Sequence, residues 1–325
     1  MDGARRWPRS RGSVSPVPGK AIDFDLRRPF RRGDALVAGL SASALRGPNF
    51  RQLFHGVYVH ASVSPHPTLR VHAALVVHPP TAFASHASAA RVYGVPLPTL
   101  ADEHVSVLRP EDRRRRDGIR NHVVPASTPV VRLHGLRVSS AEQLFVELAE
   151  QLSLVDLVVV GDALVRARRT RPELLAGFAA ASPAAASKRA RRAATYVRDG
   201  VDSPMETRLR MLIVLAGLPE PTIDHRILDR GGRVLYRFDL SYPGLRILVE
   251  YDGRQHRADL DQWDHDTDRK DWLDAHGWLH VPVFSRGIYS DPGKTLQRVE
   301  AVLRARGGAL PRRLSDEWRA YFPGH

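Results

Sequence analysis

Asp239, Glu250 and Asp252 are the residues whose types and spacing are best suited to chemistry. They lie in one stretch, Arg237 to His256, that reads RFDLSYPGLRILVEYDGRQH. Two apolar, β-prone runs flank Pro243-Gly244, the pattern of a hairpin. With those two residues as the whole turn, Tyr242 pairs with Leu245 and Asp239 lies opposite Leu248. Strand alternation then sets Asp239, Leu248, Glu250 and Asp252 on one face, with Phe238, Leu240, Ile247, Val249 and Tyr251 on the other. Asp239 and Glu250 become diagonal neighbours, roughly 7–8 Å apart at the backbone. Three carboxylates on one sheet face repel one another unless a cation sits among them. Hard oxygen ligands suit Mg²⁺ or Mn²⁺. The plain alternative is an acidic strand end paired with Arg246 or Arg254, a surface arrangement that stabilises by only ~0–1 kcal/mol.

The same residues resemble the core of the PD-(D/E)xK nuclease superfamily: Asp239 on one strand, Glu250-Tyr251-Asp252-Gly253 ending the next, and His256 just beyond. The branch they resemble is that of uncharacterised bacterial proteins similar to very-short-patch-repair endonucleases. The resemblance continues through Asp266-Thr267-Asp268-Arg269 and Gly277-Trp278 to Val281-Pro282-Val283-Phe284, the last third of the chain. It implies a restriction-endonuclease-like αβββαβ core in which Asp239 and Glu250 hold Mg²⁺ or Mn²⁺, with Asp252 or Glu206 assisting. Asp252 stands where the general motif has a Lys, although E-x-D-G followed by His is usual in this branch. Arg269 and Lys270 would supply the missing positive charge, and His256 would orient or deprotonate the attacking water. Each has a simpler reading. Glu206 completes a helix capping box, Arg269 can pair with Asp266 three residues earlier, and a loop His commonly has no such role. Gly253 is expected to take a positive φ at the strand exit.

At 325 residues the chain is long enough for two or three domains, and its net charge of +14 favours nucleic acid or another polyanion. Arg-rich composition alone can also produce that charge. The absence of cysteine excludes disulfides and thiolate zinc sites. No apolar run approaches ~20 residues and no signal peptide opens the chain, so a cytoplasmic protein without membrane association is the expectation.

The elements that must carry these residues divide the chain by composition. Residues 1–32 read as a disordered basic tail, with order beginning near Gly33. Residues 33–62 pair two short helices, Asp34 to Leu40 and Ser43 to Arg46, with a hairpin from Phe50 to His60 turning near His55-Gly56. This segment resembles the winged-helix module of AbiEi-type antitoxins, which implies DNA contacts from Arg46 and Arg51. A small packing unit with solvated arginines fits the same pattern.

Residues 63–180 form a mixed α+β middle region. Helical spacing recurs through Leu69, Ala73, Ala74 and Val77, from His86 to Tyr93 before Gly94, and from Leu154 to Arg168. His104 to Leu108 and Val130 to Val138 read as strands. Between them, Arg113, Arg114, Arg115 and Arg116 make a basic loop beside the hairpin signal Asp117-Gly118, suited to clamping phosphates or to a solvated turn. Ser139 and Glu142 form a capping box. Residues 181–200 read as a basic connecting helix bearing Lys188, Arg189, Arg191 and Arg192.

In residues 201–308, Ser203 caps a helix with Pro204 at its first position and Glu206 three residues on. Two strands follow, with one further short strand near Thr222 to Leu228. A helix from Asp261 to His276, a strand from Trp278 to Phe284 and a helix opened by Asp291-Pro292 complete the domain, and 309–325 is a tail. The expected function is a Mg²⁺- or Mn²⁺-dependent endonuclease that hydrolyses phosphodiester bonds in duplex DNA. The alternative is a DNA-binding transcriptional regulator or antitoxin-like protein whose nuclease-fold domain is catalytically silent, acting with an unidentified toxin or regulatory partner.

Overall fold

The computed structural model describes residues 25–98, 101–183, 187–253, 260–322 and 324, with the backbone alone described over 260–267. The fold is mixed α+β, and the chain divides into two compact units, residues 1–77 and 78–325. Among the described residues no helix is long and apolar enough to cross a membrane.

The first unit runs β1 (Phe30–Arg31), α1 (Arg32–Val37), α2 (Ala42–Arg46), β2 (Phe50–Phe54), β3 (Val57–His60) and α3 (Leu69–Val76), with its sheet in the order β1-β3-β2. Phe30, Ala35, Leu45 and Tyr58 form its core. Phe30 pairs with Tyr58 and Arg31 with Val57, so these two residues, expected within the tail, belong to the sheet. Burial of the Phe30 ring beside Tyr58 is what fixes this strand, at a ring separation of 6.5 Å. Residues 1–24 lie outside the described residues.

The second unit opens with β4 (Phe83–Ala84), α4 (His86–Tyr93), β5 (Glu103–Val107), β6 (Ile119–Val123), β7 (Val130–Leu133) and β8 (Leu136–Ser139), in a sheet ordered β6-β5-β4-β8-β7. Asp117-Gly118 does turn the chain, closing an isolated bridge between Arg116 and Ile119, but β5 and β6 on either side are parallel. The run expected as one strand, Val130 to Val138, is a hairpin. His134 and Gly135, at φ 50° and 79°, make the tight turn that two left-handed residues allow.

Helices α5 (Ala141–Leu148), α6 (Leu154–Arg166), α7 (Pro172–Ala181) and α8 (Ser187–Ala194) follow. The cap of α5 is Ser140, which accepts from the Gln143 N–H at 3.2 Å, whereas Ser139 ends β8 and donates to buried Glu147. The described part of the expected connecting helix, α8, is packed in place. Its Ala190, Ala193 and Ala194 are buried, and Arg189 donates to the Ala149 and Leu152 carbonyls at 2.7 and 3.0 Å.

The remaining elements are α9 (Pro204–Leu215), β9 (Thr222–Leu228), β10 (Val234–Tyr242), β11 (Ile247–Tyr251), α10 (Leu260–Ala275), β12 (Leu279–Val283), α11 (Ser285–Tyr289) and α12 (Pro292–Ala305). Ser203 caps α9 as its sequence requires, accepting from the Glu206 N–H at 3.2 Å. The sheet order is β12-β11-β10-β9, antiparallel except for β12, which runs parallel to β11 after the α10 crossover. Phe238, Leu248, Leu273 and Trp278 pack together between the sheet and α10. The end of the chain is also built in: Trp318 and Phe322 are buried, and the Ser315 N–H donates to the Ala216 carbonyl at 2.9 Å.

One buried ion pair joins α6 to α9. Arg210 is fully buried and meets Asp162 at 2.9 Å and Glu220 at 3.0 Å, while Thr207 and the Arg198 N–H each donate to Asp162 at 2.8 Å. Arg210→Met strands a buried carboxylate, so we expect a loss of about 3–5 kcal/mol in urea denaturation. Asp162→Leu in the same background should recover much of it. A loss under ~1 kcal/mol, the value of a surface pair, would contradict this description of the junction.

Candidate functional site

Asp239 interrupts β10 between two fully buried residues, Phe238 and Leu240. The β10–β11 register is Tyr242↔Ile247, Ser241↔Leu248 and Leu240↔Val249, two residues away from the expected pairing. Pro243–Leu245 forms a short 3₁₀ turn and Arg246 adopts a left-handed φ of 51°, so four residues rather than two reverse the chain. Leu248 and Glu250 share a face of β11, but Phe238 packs with Leu248 and lies under the Arg269 guanidinium that meets Glu250, so the expected division with Asp239 on this face and Phe238 on the other is not kept. The paired register ends at Leu240↔Val249, so Asp239 and Glu250 lie just beyond the last registered pair.

The acids differ in their partners. Asp239 is partly buried, and burial first, then the Glu206 and Glu250 carboxylates, push its carboxyl up to about 7. Glu206, 7% exposed, is raised by burial, although the Asp202 N–H donates to it at 3.0 Å and Ser203 caps its turn. Burial alone would also raise Glu250. Hydrogen bonds from His280 and Arg269 outweigh it and hold this carboxyl below its ordinary range. His280 Nε2 lies 3.3 Å from Glu250 Oε2, and Arg269 donates to Oε1. The same guanidinium stands 5.6 Å from the centre of the Phe238 ring. A protein cation therefore occupies one oxygen of the best-ionised acid. Among the described residues the acids form no group of three whose ligand atoms all lie within 4.8 Å of one another.

The other expected site residues fall as follows. The Asp252 N–H donates to the Val283 carbonyl at 2.8 Å, which ties the end of β11 to β12. Lys270 is exposed on α10, one residue beyond Arg269. His256 and Arg254 lie outside the described residues, as does the side chain of Asp266. Arg246 donates to the His276 carbonyl at 3.0 Å. Gly253 does not take a left-handed φ; a Cβ there would meet the Tyr251 ring at 3.2 Å, so close approach is what requires glycine. His280 was not singled out by the sequence, because its nearness to Glu250 follows from parallel β11–β12 pairing across a crossover.

Of the candidate nucleic-acid contacts, Arg113, Arg115 and Arg116 line an open pocket with Asp117, Ile119 and Asn121. Asn121 braces this loop, accepting from the Arg114 N–H at 3.2 Å and donating to the Arg114 carbonyl at 3.1 Å. Arg113, Arg114 and Arg115 are exposed. In the first unit Arg46 is exposed at the end of α2, whereas Arg51 donates to the Val63 carbonyl at 2.9 Å and serves the fold.

No family model matches the chain. Two uncharacterised proteins, from two strains of Mycobacterium tuberculosis, are each 30% identical to it over 170 residues, 50% of this chain and 60% of theirs. The chain thus matches less than two thirds of the length of these curated relatives.

The raised carboxyl of Asp239 sets a pH dependence. Its ordinary value is 3.8 and its folded value about 7, so the folded state holds the extra proton between them. The associated stability is complete below the unfolded value and is lost as pH rises through about 7. In metal-free buffer Asp239→Asn should match the parent most closely at acidic pH and become progressively more stable than it toward pH ~8. Urea midpoints across that range check this, and a pH-independent difference would contradict it.

Proposed function

We propose that this chain is a divalent-metal-dependent endonuclease that hydrolyses phosphodiester bonds in DNA. Its chemistry would reside in a restriction-endonuclease-like domain over residues 201–308. The observation that carries the reading is Asp239, pushed up to about 7 by burial and by Glu206 and Glu250, within an inner strand of a mixed sheet whose elements run α9-β9-β10-β11-α10-β12. Burying like charges together is costly unless a cation completes them. The donors are all hard carboxylate oxygens, which fits Mg²⁺ or Mn²⁺ in kind.

Asp239 and Glu250 would hold the ion, with Asp252 or Glu206 assisting. When bound, the ion supplies a water of lowered pKa and offsets charge developing on the phosphate. Arg269, once released from Glu250, presents a planar fork of donors to a phosphate oxygen, the role of the Lys that Asp252 replaces. His256 takes the proton of the attacking water. Arg113 to Arg116, and the net charge of +14, hold and steer the DNA backbone. A cytoplasmic setting suits this substrate.

One observation favours the regulator reading instead. Glu250 already has Arg269 and His280 as partners and needs no metal to be satisfied. Incubation of the protein with supercoiled plasmid separates the two. We expect nicking or cleavage only with Mg²⁺ or Mn²⁺, abolished in Asp239→Ala and Glu250→Ala because each removes an oxygen ligand. DNA binding without cleavage under every ion would support the silent-domain regulator. Cleavage unchanged in both variants would exclude this site.

A further inference from the structure

A second group of side chains, far from the acids in sequence, has the chemistry of a different metal. His86 opens α4, His104 lies in β5 and His122 in β6. Among the described residues these three form the one group of His, Asp or Glu whose ligand atoms all lie within 4.8 Å of one another. Parallel β5–β6 pairing sets His104 beside Arg120 and Ser106 beside His122, and β4 delivers His86 from the adjoining strand. We propose that His86, His104 and His122 form a Zn²⁺ site with three imidazole ligands and an open fourth position.

Four observations carry this. The first is spacing. His104 Nδ1 and His122 Nε2 are 3.0 Å apart, near the ~3.3 Å that separates two nitrogens on a tetrahedral ion with bonds of about 2.0–2.1 Å. The rings lie within 28° of parallel, so ligation requires each to turn about its Cβ–Cγ bond. The second is burial: His86 and His104 are withdrawn from solvent, so few waters compete with their nitrogens for an ion.

The third is support behind the ligands. His86 is held at a left-handed φ of 47°, its backbone N–H donates to buried Glu147 at 2.9 Å, and its Nδ1 lies 3.1 Å from the Ser85 hydroxyl. Strain fixed by a buried carboxylate beside a ligating histidine is the kind of outer support metal sites use. The fourth is an orphan. Ser106, on the same face of β5 as His104, buries its Oγ with no hydrogen-bond partner. A water on the open position gives that hydroxyl one. Imidazole nitrogens select a borderline ion such as Zn²⁺ over Mg²⁺, so this site is distinct from the acidic one in both place and ion.

The test uses untagged, chelator-stripped full-length protein titrated with Co²⁺ and then Zn²⁺. With 15 histidines in the chain, variants must locate the ion. We expect a visible Co²⁺ d–d band that Zn²⁺ removes and excess Mg²⁺ does not. The band should be lost in His122→Gln, with its circular dichroism and melting curve retained, and kept in Asp239→Ala. Absence of the band in the parent, its persistence in His122→Gln, or its loss in Asp239→Ala would overturn the assignment. Zn K-edge X-ray absorption of the parent needs no variant to fold. Imidazole scattering is expected, and an all-oxygen coordination sphere would overturn the site.

Discussion

Arg210 has no access to water, so its charge survives only where acids meet it. Asp162 on α6 and Glu220 before β9 are those acids, and Thr207 with the Arg198 N–H satisfies what remains of Asp162. Removing one partner leaves a bare charge in a medium that cannot solvate it, which locks α6 and α9 together. The same helix α9 packs on β10 and β11 and brings Glu206 near Asp239. The ion pair thus anchors the helix that carries Glu206, one of the carboxylates that raise Asp239.

Desolvation also explains why the two candidate metal sites differ. In the acidic site, burial keeps Asp239 partly protonated at neutral pH, and Arg269 supplies the cation that Glu250 otherwise lacks. Around β5 and β6, burial keeps imidazoles neutral, and Glu147, itself pushed up to about 7 by burial, supplies acceptors rather than a firm negative charge. One effect thus prepares hard oxygen donors in one place and neutral nitrogen donors in the other.

Caps and tight turns are legible in the sequence because the residues that make them are neighbours in the chain. Ser203, Pro204 and Glu206 announce α9, Gly94 ends α4 with a left-handed φ, and the hairpin from Phe50 to His60 turns at His55-Gly56. The turn at 243–246 takes four residues where the sequence suggests two, because nothing in Leu245-Arg246 signals a left-handed arginine. The register moves by two, which keeps Leu248 and Glu250 on one face of β11, but Phe238 packs with Leu248 rather than on the opposite side. Non-local pairing was not legible. Asp117-Gly118 suggests antiparallel strands, whereas β5 and β6 are parallel, and the histidine cluster depends on that pairing. His280 and Arg269 reach Glu250 only through the α10 crossover, and no spacing in the chain reports such contacts.

On the proposed reading, Asp239 and Glu250 form a cation site in which Arg269 takes the place of the metal. Calorimetric titration of Mn²⁺ into the parent, Glu250→Gln and Arg269→Met tests it without reference to any substrate. Glu250→Gln is expected to abolish binding, whereas Arg269→Met, by removing the competing guanidinium, is expected to tighten it. Equal Mn²⁺ affinity in the parent and Glu250→Gln would contradict that reading.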